Sequence, residues 1–222
     1  MKIFNKIFLA ALLAGGVSGL VLAVVQNFTV VPIVLEAETY ESTGGHHAVE
    51  DSVEAWSPED GSERTFYTAM NSVIVGIGFG LLLTACYTIR QAVTLRSGIW
   101  WGLAGFAAFH LAPALGLPPE LPGDAAADLG VRQVWWVLTV MATAVGLWII
   151  VFLPARYVKL AGVALITLPH LFGAPQPEIH GGLAPEDLRS TFILTSLLSN
   201  AIFWLVLGML SAYFYNRVGE HS

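Results

Sequence analysis

Apolar residues in this chain come in long blocks, with polar residues largely confined to the segments between them. Six blocks can be marked, over residues 7–34, 66–89, 98–117, 131–153, 158–172 and 191–215. A helix of about 20 apolar residues crosses a hydrocarbon layer of about 30 Å. Four blocks reach that length, 98–117 just meets it with Pro113 inside, and 158–172 falls short. The pattern predicts an all-α fold, a polytopic transmembrane helix bundle of six helices, or five if the short fifth block does not cross.

Composition points the same way. The chain has 222 residues, 55% of them apolar and 12% charged, whereas a soluble protein carries roughly a quarter charged residues. Lys2 and Lys6 precede the first block as they would in a secretory signal. A signal core, however, is about 7 to 15 residues long and ends at a small-residue cleavage site. The first block is longer and reads as a retained helix.

Charge placement sets the expected topology. With a cytoplasmic N-terminus and six crossings, Lys2, Lys6, Arg90, Arg96, Arg156, Lys159 and Arg217 fall inside, leaving Arg64, Arg132 and Arg189 outside. That is the distribution the positive-inside rule expects. The acids played no part in the assignment, yet 15 of 16 fall outside, Glu220 being the exception. Removing the fifth crossing moves Arg217 outside and brings Glu178, Glu186 and Asp187 inside. Six crossings with both termini cytoplasmic is the expectation that follows.

A single transmembrane domain is expected over residues 1–222. Its largest polar segment, 36–64, reads as an external loop with nine acids against one arginine. Gly15, Gly19, Gly76, Gly78 and Gly80 supply the small residues that let helices approach closely in lipid. The GIGFG segment at 76–80 is no phosphate loop, because no lysine follows it and it lies inside an apolar helix. Trp100 with Trp101, and Trp135 with Trp136, are expected at opposite interfaces as an aromatic belt. Cys86 is the one cysteine, which excludes an intrachain disulfide and a thiolate cage. The chain has no GxxxxGK[ST], GxSxG or HExxH segment. It reads as a non-enzyme, with neither nucleotide nor nucleic acid as a partner.

Candidate chemistry lies in a phrase written twice. HLAPALGLPPE at 110–120 is echoed by HLFGAPQPE at 170–178, with a histidine in front, glycine and prolines in the middle and a glutamate at the end. In the expected topology both lie on the outer side, with His110 and His170 about 21 and about 16 Å from the inner charged boundary by helical rise. The prolines are expected to end their helices. Non-helical backbone at that depth persists only when buried in protein or lining a wet cavity, so an outward-facing vestibule is expected. The first block ends similarly, with Pro32 followed by Glu36 and Glu38. Three outward-facing helical hairpins would then form a weak internal repeat, one of the patterns of transporter folds.

Two imidazoles with several carboxylates suit a borderline divalent cation such as cobalt, nickel or zinc. The candidate metal ligands are His170, Glu178, Glu120, Glu36, Glu38 and His110, with His46 and His47 in the acidic segment placed to capture cations beforehand. A vestibule lined by one sign of charge raises the local concentration of counter-ions. The ion would be cargo, and no tightly bound cofactor is expected.

Several stretches together resemble a known family. VVPIVLEAETYE (30–41), EAWSPEDGSERTFYT (54–68), GLAGFAAFHLAPALGLPPELPGDAAADLGVRQVWW (102–136), LPHLFGAPQPEIHGG (168–182) and SNAIFWLVLGMLSAYFY (199–215) are similar to the CbtA family of bacterial inner-membrane cobalt transporter subunits. The resemblance implies cobalt uptake supplying cobalamin synthesis, beside a small one-helix, histidine-bearing CbtB-like partner. Two other functions fit the residues. One is a non-catalytic accessory or structural subunit whose apolar faces bind neighbours in a larger membrane complex. The other is a haem-binding membrane subunit with His110 and His170 as axial ligands, which the flanking prolines and glycines disfavour.

Overall fold

A computed structural model describes residues 2–44, 58, 61–89, 93–178 and 181–220. Among these the regular elements are helical: α1 (Lys2–Thr29), α2 (Val31–Gly44), α3 (Ser62–Tyr87), α4 (Leu95–Phe106), a π turn (Ala107–Leu111), the single turn α5 (Ala112–Ala114), α6 (Leu129–Phe152), α7 (Arg156–Phe172) and α8 (Glu186–Glu220). Four helices are long and apolar enough to cross a membrane: Ile3–Thr29, Ser62–Tyr87, Leu129–Phe152 and Glu186–Val218. The run 95–114 is interrupted by its π turn, and α7 has 17 residues. The all-helical membrane architecture read from the blocks is therefore present, with four clear spans.

Two expected boundaries move, each because of a proline. The first helix stops at Thr29 rather than near residue 34, with a one-residue turn at Val30. Pro32 then sits in the first turn of α2, where its missing N–H removes no helical bond. The segment expected as an external loop from Glu36 onward is consequently helical as far as Gly44. Pro113 does not end its helix on the spot either. The backbone absorbs it by widening, with the Ala112 N–H bonding the Ala107 carbonyl five residues back, and the helix ends after Ala114.

The described chain forms two compact units, one from Met1–Pro32, Gly45–Leu103 and Leu198–Ser222, the other from Ile33–Gly44 and Ala104–Leu197. In the first, α1 and α3 meet along a seam of small residues spaced four apart. Ala11, Gly15 and Gly19 lie on α1, and Ser72, Gly76, Gly80 and Thr84 on α3. A Cβ on Gly80 would lie 2.9 Å from the Ala11 carbonyl oxygen, and one on Gly15, Gly19 or Gly76 would run into the facing backbone. Gly78, on the other side of α3, faces open space. Two of the three glycines in GIGFG are thus packing residues, as lipid-embedded helices require where no hydrophobic effect drives them together.

Gly98 and Gly102 of α4 make the same kind of approach to Gly208 and the Trp204 carbonyl of α8. Beside this crossing the Tyr87 hydroxyl lies 2.9 Å from Ser211 Oγ, and the Phe79 ring packs 4.7 Å from that of Trp204. Trp204, Leu207 and Tyr87 are fully buried. At one end of this unit Lys6 Nζ sits 3.8 Å over the Tyr215 ring, and Asn216 donates to the Val93 carbonyl at 2.7 Å. The beginning of α1, the end of α8 and Val93 just before α4 therefore lie on one side of this unit.

The second unit is built on α6 and α7, which cross at Gly146 and Gly162. Asp128 caps α6 by accepting the Val131 N–H at 3.1 Å. The adjacent tryptophans divide. Trp136 is part-exposed at 38%, but Trp135 is buried and donates its indole N–H to the Pro169 carbonyl at 3.3 Å, so it is a packing residue rather than part of a belt. Outward-facing Leu160, Leu171 and Phe172 are 71, 80 and 84% exposed, a surface suited to lipid rather than water.

Candidate functional site

The two copies of the repeated phrase meet. In the second unit the segment after α5 and the segment after α7 run together past the C-terminal ends of their helices. Gln176 Nε2 donates to the Gly116 carbonyl at 3.3 Å, and the Ala125 N–H donates to the Gly181 carbonyl at 3.0 Å. Gly116 is pressed so closely against Trp135 and Ala174 that a Cβ would fall 2.6 Å from the indole. Gly173, with φ +82, turns the chain out of α7 in a conformation that side chains resist.

Between the two segments lies a cleft of about 440 Å³, walled by Leu117, Pro118, Pro119 and Glu120 on one side and by Pro175, Gln176 and Pro177 on the other. Asp124, Glu186 and Arg189 also line it. The prolines stiffen both walls by fixing φ, and the carboxylates give the cleft its charge.

Those carboxylates are not bare. Arg189 donates from Nε to Asp124 Oδ1 at 3.1 Å, places Nη2 at 3.1 Å from the same oxygen, and reaches Glu186 Oε2 from Nη1 at 2.5 Å. The Asp124 side chain is only 6% exposed, and its second oxygen accepts the Leu121 N–H at 2.9 Å. This cluster ties the first loop to the start of α8. Glu120 is held differently, by one contact from Arg132 Nη2 to Oε2 at 2.5 Å, while the Arg132 Nε is buried without a partner.

The other sequence-predicted ligands are spread over the unit. His170 lies next to Pro169 on α7, its ring edge-on to Trp135 at 5.8 Å, and its Nε2 is buried with no hydrogen-bond partner. His110 lies in the π turn, stacked on Phe106 at 6.2 Å. Glu178 is exposed beside the cleft wall, and Glu36 and Glu38 lie on α2. His46 and His47 fall outside the described residues. Among the described residues no three His, Cys, Asp or Glu side chains are gathered closely enough to hold a metal ion. What the chain brings together is a charged cleft and, elsewhere on α7, one imidazole with an unspent nitrogen.

The sequence alone does not mark Asp124, Arg132 and Arg189 as site residues. A signal for two of them is nonetheless present: three basic residues fall on the expected acidic outer side, and two are these arginines. A basic residue surrounded by carboxylates is the natural place to look for ion pairs.

No curated protein and no solved structure matches the chain. Residues 4–216 match the family described as "Probable cobalt transporter subunit (CbtA)", and with nearly its whole length covered the chain belongs to that family.

Proposed function

We propose that the chain is the permease subunit of a divalent-cation importer, bringing cobalt across a bacterial inner membrane to supply cobalamin synthesis. Six crossings place both termini in the cytoplasm and the paired phrases outside, as two of three hairpin units in a weak repeat. Cations gather at the acidic outer segments, His46, His47, Glu36 and Glu38 among them, and enter the cleft at Glu120 near Glu178. His170, and with it His110, then offers imidazole nitrogen as water is shed. The membrane potential drives the step, worth about 2.3 kcal/mol per charge per 100 mV. A one-helix, histidine-bearing subunit of the CbtB kind completes the coordination that this chain supplies only in part.

The observation that carries the reading is the convergence of both phrases on one cleft with a glutamate in its wall. Uptake of radioactive cobalt tests it, in cells lacking other cobalt importers, with and without the chain and its small partner, and with nickel and zinc as competitors. The reading requires chain-dependent uptake that falls at least tenfold, roughly, in the Glu120→Gln, His170→Ala double variant at matched membrane levels. Cobalt entry at the same rate without the chain would remove it.

One observation favours a second reading, an accessory subunit in a larger complex. Glu120 and Asp124 already hold arginines, and in that case the cleft is simply a salt-bridged closure. Uptake by the partner subunits alone would decide for it. A purified protein without a Soret absorption band would dispose of the haem reading.

A further inference from the structure

The two arginines at the cleft are held so differently that they cannot share a role. Arg189 makes three contacts with two carboxylates, one of them nearly buried, and its guanidinium fork is well used. Arg132 makes a single end-on contact to Glu120, both side chains are about a quarter exposed, and its buried Nε finds no acceptor. A guanidinium evolved purely as a clasp would engage its carboxylate through two parallel N–H bonds. Arg132 instead leaves one Glu120 oxygen without a guanidinium contact and is itself incompletely satisfied. Glu120 lines the cleft, and the guanidinium reaches it through Nη2 and one carboxylate oxygen only.

We infer that Arg132 is an affinity-setting residue: its fixed positive charge paired with Glu120 weakens the hold of the cleft on a divalent cation so that the ion can be passed on. The inference rests on the permease reading and deepens it. Conduction needs sites that bind well enough to admit an ion and weakly enough to release it. Arg189 already offsets the charge of Asp124 and Glu186 in this cleft, so Glu120 without Arg132 would be the carboxylate left to hold a doubly charged ion tightly. One unit charge within a few ångströms of the ion shifts its affinity by about tenfold even at high dielectric. That is the range over which a trap becomes a passage.

The test is a kinetic split together with direct binding. Arg132→Gln keeps a long polar side chain, though a shorter one, and removes its charge. The inference expects the KM for cobalt uptake to fall about tenfold, with the maximal rate falling as well because release slows. Arg132→Lys, which restores the charge, should return KM to near the wild-type value, and adding Glu120→Gln to Arg132→Gln should abolish the gain in affinity. Raising the salt should narrow the difference. If Arg132 were only structural, Arg132→Gln would reduce the amount of folded protein and leave KM alone. An unchanged or raised KM with normal protein levels overturns the inference.

Calorimetric titration of the purified, detergent-solubilised chain with cobalt separates this result from failure of the permease reading. Tighter binding by Arg132→Gln than by wild type, abolished by adding Glu120→Gln, upholds the inference even in cells where the chain proves not to drive uptake. Equal binding by wild type and Arg132→Gln overturns it.

Discussion

The seam between α1 and α3 and the cleft between the two loops hold their parts together by opposite means. At the seam, Gly15, Gly19 and Gly76 remove side chains so that backbone meets backbone. At the cleft, Asp124, Arg189, Glu186, Glu120 and Arg132 add charges so that loops are tied by ion pairs. A seam matched by shape in lipid has no alternative partner and stays closed. A junction matched by charge can exchange one cation for another. The first region suits a scaffold and the second suits traffic, which is why the functional proposal rests on the cleft.

The strongest way to break the comparison is to put a side chain into the seam. Gly76→Leu should cost more than about 4 kcal/mol, because the obstacle is the α1 backbone and not a movable side chain. Folded protein recovered from the membrane should fall sharply, as measured by its amount and melting temperature in detergent. Next in size, Asp124→Asn should cost about 3 kcal/mol by taking the nearly buried carboxylate from the Arg189 Nε and Nη2, with Glu186 left as its remaining ion-pair partner. The Asp124→Asn, Arg189→Gln double variant should recover part of that loss, read from a double-mutant cycle.

Trp135→Phe keeps the ring packed but removes the N–H that satisfies the Pro169 carbonyl. The expected cost is about 1 kcal/mol, with a small fall in melting temperature. Smallest of all, Gly78→Ala should be neutral or slightly stabilising, by up to about 1 kcal/mol, because Gly78 faces open space and alanine favours the helix. A loss at Gly78 as large as that at Gly76 would mean that the glycines act through something other than the seam.

The sequence is most informative where one physical cause dominates. Block length alone predicts the helices, since nothing else explains runs of 20 or so apolar residues. Helix ends are less legible, because a proline can be absorbed in more than one way. Pro32 sits harmlessly in a first turn and Pro113 is accommodated by a π turn, and both outcomes depend on neighbouring packing. Trp135 and Trp136 show the limit of reading by type. Adjacent helical residues point about 100° apart, so one of a pair turns inward, and only the position of Pro169 decides that it is Trp135.

At the site, the position of both phrases at the C-terminal ends of helices was legible in the sequence. The pairing of Glu120 with Arg132 and of Asp124 with Arg189 was not, because those partners lie 12 and 65 residues apart in the chain. Expected ligands that share residue type and depth also need to share a neighbourhood. Among the described residues His170 and Glu120 belong to no three-ligand cluster.

The most direct measurement asks whether the cleft lies on the ion's path from outside. Gln176, exposed on the cleft wall, can be changed by Gln176→Cys in a Cys86→Ser background, so that one thiol remains. Intact cells are then treated with a positively charged, membrane-impermeant thiol reagent while radioactive cobalt uptake is followed. The account predicts that labelling cuts uptake severely, that excess cobalt slows the labelling, and that the Cys86→Ser background alone is unaffected. Complete labelling of the Gln176→Cys variant with uptake unchanged would contradict it.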